Sequence, residues 1–262
     1  MSYRRPYAQT HDGMSADPLL AENRRFYDGL WAEARLIGPE RFNTWALVAA
    51  LASGPGARLE VGPGLRPRLP IQGTVFADIS LFALSPLHAA GGRAAAALVT
   101  ALPFADAAFT LVCAMDIVEH VADDEAAFRE LARVAAPGAV LLLSVPLHAK
   151  AWTEFDAAVG HHRRYDPPAL LDNLARVGFV VERSGASGML PRSSRLQRLG
   201  MWFLNHQKAR AMWWYNRVFM PIGLRRAGAL TLSDGFLDAD KVAGVLLVCR
   251  RARPGPAAAT HV

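Results

Sequence analysis

Two stretches of the sequence, FTLVCAM (109–115) and AVLLLSVP (139–146), are apolar at nearly every position. A strand with one wet face alternates apolar and polar residues, whereas a strand covered on both faces does not. Between the two lies DDEAAFRELARVAAPG (123–138), with acids in its first turn, apolar residues at helical spacing and Pro-Gly after its end. Two doubly covered strands separated by a capped helix predict parallel neighbours joined by a crossover. The pattern extends in both directions. RLEVG (58–62) and TVFADIS (74–80) read as earlier strands, DPPALLDNLARVGF (166–179) as a further helix, and FVVERS (179–184) and VAGVLLVCR (242–250) as later strands. The expected fold class is therefore α/β, with a doubly wound, mostly parallel sheet.

The alternation fails at both flanks. Asp17 followed by Pro18 reads as the cap and first position of a helix through PLLAENRRFYDGLWAEARL, and a second helix is expected from about Glu40 to Ala52. Residues 187–241 are rich in Arg and Trp, and two helices joined near Gln207–Arg210 are expected there. The expected organisation is a tail with lid helices (1–56), an α/β core (57–186), the helical insertion (187–241), and a last strand with a flexible tail (242–262). Three roles for the insertion stay open: a lid over an apolar acceptor pocket, a dimer surface, or a helix lying in a membrane interface.

Composition narrows the partners. The net charge of +6 and pI of about 9.8 invite a nucleic-acid surface. The excess is almost all Arg, with Lys only at 150, 208 and 241, and no nucleic-acid-binding motif is present. A nucleic-acid partner is not expected. No run of about 18 apolar residues exists to span a bilayer. Cys113 and Cys249 each sit in an apolar run and read as buried thiols, so neither a disulfide nor a metal site is expected. The opening MSYRRPYAQTHDGM lacks the apolar region of a secretory leader, and a cytoplasmic location is the expectation.

The turn after the first strand, VGPGLRPRLP (61–70), carries the most specific chemistry. Gly62 and Gly64 permit a sharp turn and close approach of a ligand. A dinucleotide loop has a third glycine and N–H groups aimed at a pyrophosphate. Here Pro67 takes the place of that glycine, and Pro63 also lacks an N–H. Asp78 closes the second strand, where a carboxylate accepts ribose hydroxyls. The loop suits a nucleoside without a pyrophosphate.

With LEVGPG (59–64), FADIS (76–80), ALPFADAAFTLVCAMDIVEHV (101–121) and ELARVAAPGAVLLLSVP (130–146) in this order, the chain resembles the class I S-adenosylmethionine-dependent methyltransferases, specifically the type 11 methyltransferase domain. The resemblance implies a seven-stranded Rossmann-like sheet and S-adenosyl-L-methionine as cofactor. It places Glu60, Gly62, Pro63 and Gly64 around the methionine part, Asp78 and Ile79 at the ribose, and Ala101 and Leu102 near the adenine. Met115 and Asp116 would face the sulfonium end, and for Glu119-His120 two readings stay open: His120 near the methyl group as a base, or the pair capping and orienting the turn into the next helix. Three departures stand out: Leu98 where the family often has an acid, Phe109-Thr110 in place of Phe-Asp, and the absent third glycine.

After the fifth strand, LHAKAWTEFDAAVGHHRRYDPPAL resembles a block found in a subset of these enzymes. It overhangs the expected cleft. Methyl transfer to a hydroxyl requires alignment of the nucleophile and removal of its proton. His161 is the candidate base, with Asp156 orienting it or acting directly; the alternative is a structural network with an Arg–Asp pair and Tyr165 packed beneath. For the acceptor pocket the candidates are Tyr27, Trp31, Trp152, Tyr165 and Trp213. The expected function is methylation of a small-molecule acceptor, with oxygen favoured, by a monomer or homodimer. The alternatives are a cofactor-binding protein that has lost catalysis and a methyltransferase acting on a macromolecule or lipid.

Overall fold

The computed structural model describes Asp28, Trp31 and residues 34–187, 200, 202–203, 206–240 and 242–253. Eight strands form one sheet in the order β3-β2-β1-β4-β5-β8-β6-β7. They are β1 (Arg58–Val61), β2 (Thr74–Asp78), β3 (Arg93–Ala96), β4 (Phe109–Met115), β5 (Ala135–Pro146), β6 (Phe179–Ala186), β7 (Ser233–Asp234) and β8 (Gly244–Arg251). Pairing is parallel from β3 through β5. β8 runs antiparallel between β5 and β6. The strand beyond the expected seven is β7, two residues paired antiparallel on the edge of β6.

Both faces of the sheet are covered, which is why the central strands lack alternation. On one face Val112 and Ala114 of β4 pack with Leu141 and Leu143 of β5, with Phe128 and Leu131 of helix α3 (Asp124–Val134), and with Leu170 and Leu174 of helix α5 (Pro167–Arg176). On the other face Leu111, Cys113 and Leu142 meet Val48 of helix α1 (Trp45–Ala52). Burying each large aliphatic side chain stabilises the fold by roughly 1.5–3 kcal/mol. Asp123 caps α3, its Oδ1 accepting from the Ala126 amide at 2.8 Å. Asp166 precedes α5, yet its Oδ1 accepts from the Ala149 amide instead. The remaining helices are α2 (Leu81–Ala89), α4 (Glu154–Ala158), α6 (Lys208–Trp214) and α7 (Met220–Arg226), with a π-helical turn, Tyr215–Phe219, joining the last two.

One expectation needs correction. The helix expected over 40–52 is broken: Pro39–Arg41 is a 3-10 turn, Phe42 is extended, and α1 starts only at Trp45. The break buries the Phe42 ring, over which the Arg68 guanidinium lies at 3.7 Å. In the insertion, the joint expected near Gln207–Arg210 lies at Gln207, which is non-helical between helical His206 and α6. Of the helix expected from Asp17 to Leu36, Asp28 and Trp31 are helical, Ala34 to Leu36 are not, and the rest falls outside the described residues.

Candidate functional site

The carboxyl ends of β1, β2, β4 and β5 share one edge of the sheet, where chain connections reverse direction between β1 and β4. One limb of the site is the turn after β1. Gly62 and Gly64 have φ of +64° and +53°, conformations that favour glycine. A Cβ on Gly62 would lie 2.0 Å from Ile117 Cδ1, and one on Gly64 would lie 2.1 Å from Trp31 Cζ2. The backbone here lies directly under other groups.

The loop's amides are turned inward. Glu60 is buried, and its carboxylate accepts from the Arg68 amide at 2.8 and 3.0 Å and from the Leu69 amide at 2.9 Å. Gly64 N donates to Asp78 Oδ2 at 3.0 Å, Gly62 N to Ala77 O, and Arg66 N to Pro63 O. Pro63, Pro67 and Pro70 have none to give. A pyrophosphate would find few donors, in agreement with the reading of the prolines. Asp78 also accepts from Ser80 N at 2.8 Å, which leaves each carboxylate oxygen a further lone pair. Burial raises Glu60 to about 7 and Asp78 to about 6, against the lowering effect of the amide bonds.

The other limb follows β5. Thr153 opens α4 in a capping box: its amide and its hydroxyl both donate to Asp156 Oδ2 at 2.7 Å. The other oxygen, Oδ1, takes Arg164 Nε at 2.9 Å and His161 Nδ1 at 2.8 Å. Asp156 and Arg164 are both buried. Burial pushes the Asp156 pKa up, but the bonds from Arg164, Thr153 and His161 prevail and hold it below the usual carboxylate value. Desolvation lowers His161 despite the neighbouring carboxylate, so the imidazole is neutral near pH 7. With its proton on Nδ1, His161 keeps a lone pair on Nε2.

Nε2 lies 3.9 Å from Glu119 Oε1, and the His161 ring stands edge-on to His120, centroids 4.5 Å apart. Burial, then His161, pushes His120 down to about 3. Glu119 is buried, its Oε2 has no hydrogen-bond partner, and desolvation raises its pKa well above the usual range. The ligand atoms of Glu119, His120 and His161 fall within 4.8 Å of one another, a cluster dense enough to chelate a cation. Two backbone links fix the limb: His162 N donates to Glu119 O at 2.7 Å, and His161 N to Asp156 O at 2.9 Å. Arg163 donates to Asp124 and to Ala122 O, so the same block also grips the start of α3.

Residues 78–143 match the family model of the type 11 methyltransferase domain. The chain carries a methyltransferase domain. S-adenosylmethionine is the cofactor of such a domain. No curated protein sequence matches the chain. Solved structures share its fold at low identity. An S-adenosylmethionine-dependent methyltransferase from Thermotoga maritima is 14% identical over 87% of this chain and 99% of that one, with a TM-score of 0.55. A chain of the complex between the Haloferax volcanii Trm112 methyltransferase activator and a methyltransferase is 16% identical over 90% and 95%, TM-score 0.52. The YcgJ protein of Bacillus subtilis is 14% identical over 81% and 99%, TM-score 0.51.

Within the methyltransferase domain, several side chains lie elsewhere than the sequence reading put them. Glu60 turns into its own loop, toward the Arg68 and Leu69 amides. Tyr165 lines no pocket: it is 4% exposed, its ring packs on Phe128 and its hydroxyl donates to Asp124 Oδ2 at 2.9 Å. Trp31 packs on Gly64, Leu65 and Ala83, over the glycine turn. Trp152 and Trp213 are exposed, and Tyr27 lies outside the described residues. Ile79 and Met115 are half-buried, Pro63 is buried and Asp116 is exposed. Ala101 is exposed, and Leu102 N donates to Glu130 Oε2 at 2.8 Å. The sequence reading gave Glu119 only a capping role. Its signal was an acid between Val118 and Val121, directly after a doubly covered strand.

Proposed function

We propose that this methyltransferase domain transfers a methyl group from S-adenosylmethionine to a hydroxyl of a small-molecule acceptor, with His161 as the base. The observation that carries the reading is Asp156 Oδ1 holding His161 Nδ1 at 2.8 Å while Nε2 lies 3.9 Å from Glu119 Oε1, in the turn that follows β4. Bound S-adenosylmethionine supplies an electrophilic methyl on a sulfonium. The residues present fit it: a turn with few pyrophosphate donors, bent by two glycines at positive φ, and Asp78 with lone pairs left for ribose hydroxyls. Asp78 would hold the ribose, with Glu60 keeping the turn in shape.

On the acceptor side each residue has a distinct task. Thr153 and Arg164 hold Asp156 ionised. Asp156 fixes the tautomer and ring plane of His161, and His161 Nε2 takes the acceptor proton as its oxygen attacks. Support for an oxygen acceptor comes from this need for a base of imidazole strength.

His161→Ala should lower turnover by about 10²–10⁴ and leave cofactor affinity by calorimetry near that of the wild type. An imidazole must be neutral to act, so wild-type turnover is lost as pH falls through the His161 pKa. That limb should lie below the ordinary histidine value of 6.5, and the variant should lack it. An unchanged pH profile combined with lost thermal stability would make the residue structural. Loss of wild-type activity on adding a chelator would instead assign the proton's removal to a cation held by Glu119, His120 and His161.

A further inference from the structure

From Arg183 to Ser233 the sequence holds nine Lys and Arg residues and no Asp or Glu. The whole chain has 29 cations and 23 acids, so this segment carries +9 and the remainder −3. The basic character of the protein thus belongs to one segment. Three of the six tryptophans lie in it as well.

The segment's described helix is built the wrong way round for a soluble protein. From Lys208 through the π turn to Arg226 it runs unbroken, about 28 Å at 1.5 Å per residue. Among its described side chains, Asn216 and Met220, one turn apart, are the buried ones. Asn216 Oδ1 accepts from Arg66 Nη2 at 2.6 Å, and the Arg66 guanidinium also lies 5.0 Å from the centre of the Tyr215 ring. Outward stand Trp213, Trp214, Phe219 and Ile222, at 43%, 46%, 62% and 41% exposure. Arg217, Arg225 and Arg226 are exposed beside them. An ordinary surface helix buries its apolar stripe and wets its polar one. Here the helix is held by an asparagine and offers its aromatic rings to the outside.

We infer that the Lys208–Arg226 face docks on a membrane surface bearing anionic phospholipid headgroups. Tryptophan and phenylalanine enter the headgroup–acyl boundary, and arginines beside them meet phosphate oxygens. A stretch of 51 residues without one acid has nothing to repel an anionic surface. No helix among the described residues is long and apolar enough to cross a membrane, so the helix lies on the surface. A second copy would set the like charges of Arg217, Arg225 and Arg226 against this face, and a nucleic acid would leave Phe219 and Ile222 without an apolar phase to enter. Arg66 belongs to the turn after β1, so the docked helix is fastened to the cofactor limb. This inference does not depend on the acceptor or on His161.

Flotation of the full chain with vesicles tests it. Vesicles of phosphatidylcholine alone are compared with vesicles that also contain phosphatidylglycerol. The protein should bind the mixed vesicles at least about ten-fold more tightly, and salt should weaken that binding. Trp214→Ser with Phe219→Ser should reduce binding to both vesicle types. Arg217→Glu with Arg225→Glu and Arg226→Glu should abolish the preference for the anionic ones. Circular dichroism and cofactor calorimetry confirm that both variants are folded. Absence of flotation, equal affinity for the two vesicle types, or unchanged binding of folded variants overturns the inference. It is also overturned by a dimer that Trp214→Ser with Phe219→Ser dissociates without any vesicle binding, or by tighter retention on duplex RNA than on vesicles.

Discussion

Glu60 and Asp156 are both buried carboxylates with several hydrogen bonds each, one in each limb of the site, yet their protons behave in opposite ways. Glu60 is held by the Arg68 and Leu69 amides of its own loop and rises to about 7. Asp156 is held by Thr153, by the imidazole of His161 and by the guanidinium of Arg164, and falls below its ordinary value. Backbone amides offer dipoles, which do not offset the loss of water around a charge. A guanidinium brings a full opposite charge into the same small volume. Glu60 therefore keeps part of its proton near pH 7, whereas Asp156 belongs to an ion pair that cannot be discharged without cost.

The largest effect expected from this contrast is that of Asp156→Asn. It leaves Arg164 buried opposite a neutral amide, which should destabilise the fold by about 3–5 kcal/mol. It also frees His161 to take the other tautomer, so turnover should fall by about 10²–10⁴. Urea unfolding and initial rates measure the two. A loss below about 1 kcal/mol would mean that the ion pair matters no more than an exposed one.

Asp78 comes next. Asp78→Ala should weaken S-adenosylmethionine binding by about 1.5–3 kcal/mol by calorimetry, as for hydrogen bonds to a charged group. Unchanged affinity would assign the ribose to another residue. The same titration with NAD should show no binding, given the inward-turned amides.

The smallest effect is expected at Glu60. Glu60→Gln keeps an acceptor oxygen and should cost about 1 kcal/mol at pH 5. The sign with pH follows from the raised pKa. Between the ordinary value of 4.5 and about 7, the folded protein keeps a proton that the unfolded chain has released. This carboxyl's contribution to stability is thus full below that window and falls as pH rises through it. The difference between wild type and variant should shrink from pH 5 to pH 8 in urea titrations without cofactor. A difference that grows with pH would show Glu60 to be a stabilised anion like Asp156, and the comparison would collapse.

How much of this was legible depends on the range of each interaction. The strands of the sheet were readable because double burial writes itself as an unbroken apolar run, as in FTLVC. Helix α3 was readable because its cap, Asp123, acts within three residues. The partners of Glu60 were not, since they are amides eight and nine residues on, presented by a turn whose path the prolines decide. In the acceptor block the types of residue were readable but not their directions. Arg163 and Tyr165 both reach Asp124, while Arg164 between them turns to Asp156. That follows from an extended backbone, where side chains two apart share a side. Of the two readings of Tyr165, a pocket residue or a ring packed beneath the block, this alternation favours the second. The break at Phe42 was hidden because the cause is a ring buried against Arg68, a tertiary contact 26 residues away.

The proline-rich turn after β1 has a consequence for the entropy of binding. Pro63, Pro67 and Pro70 narrow the conformations of the unfolded chain, and the Glu60 carboxylate fixes Arg68 and Leu69. The ordering that many nucleotide loops undergo on meeting their ligand is completed here when the chain folds. Cofactor association should then show little conformational entropy loss from this loop.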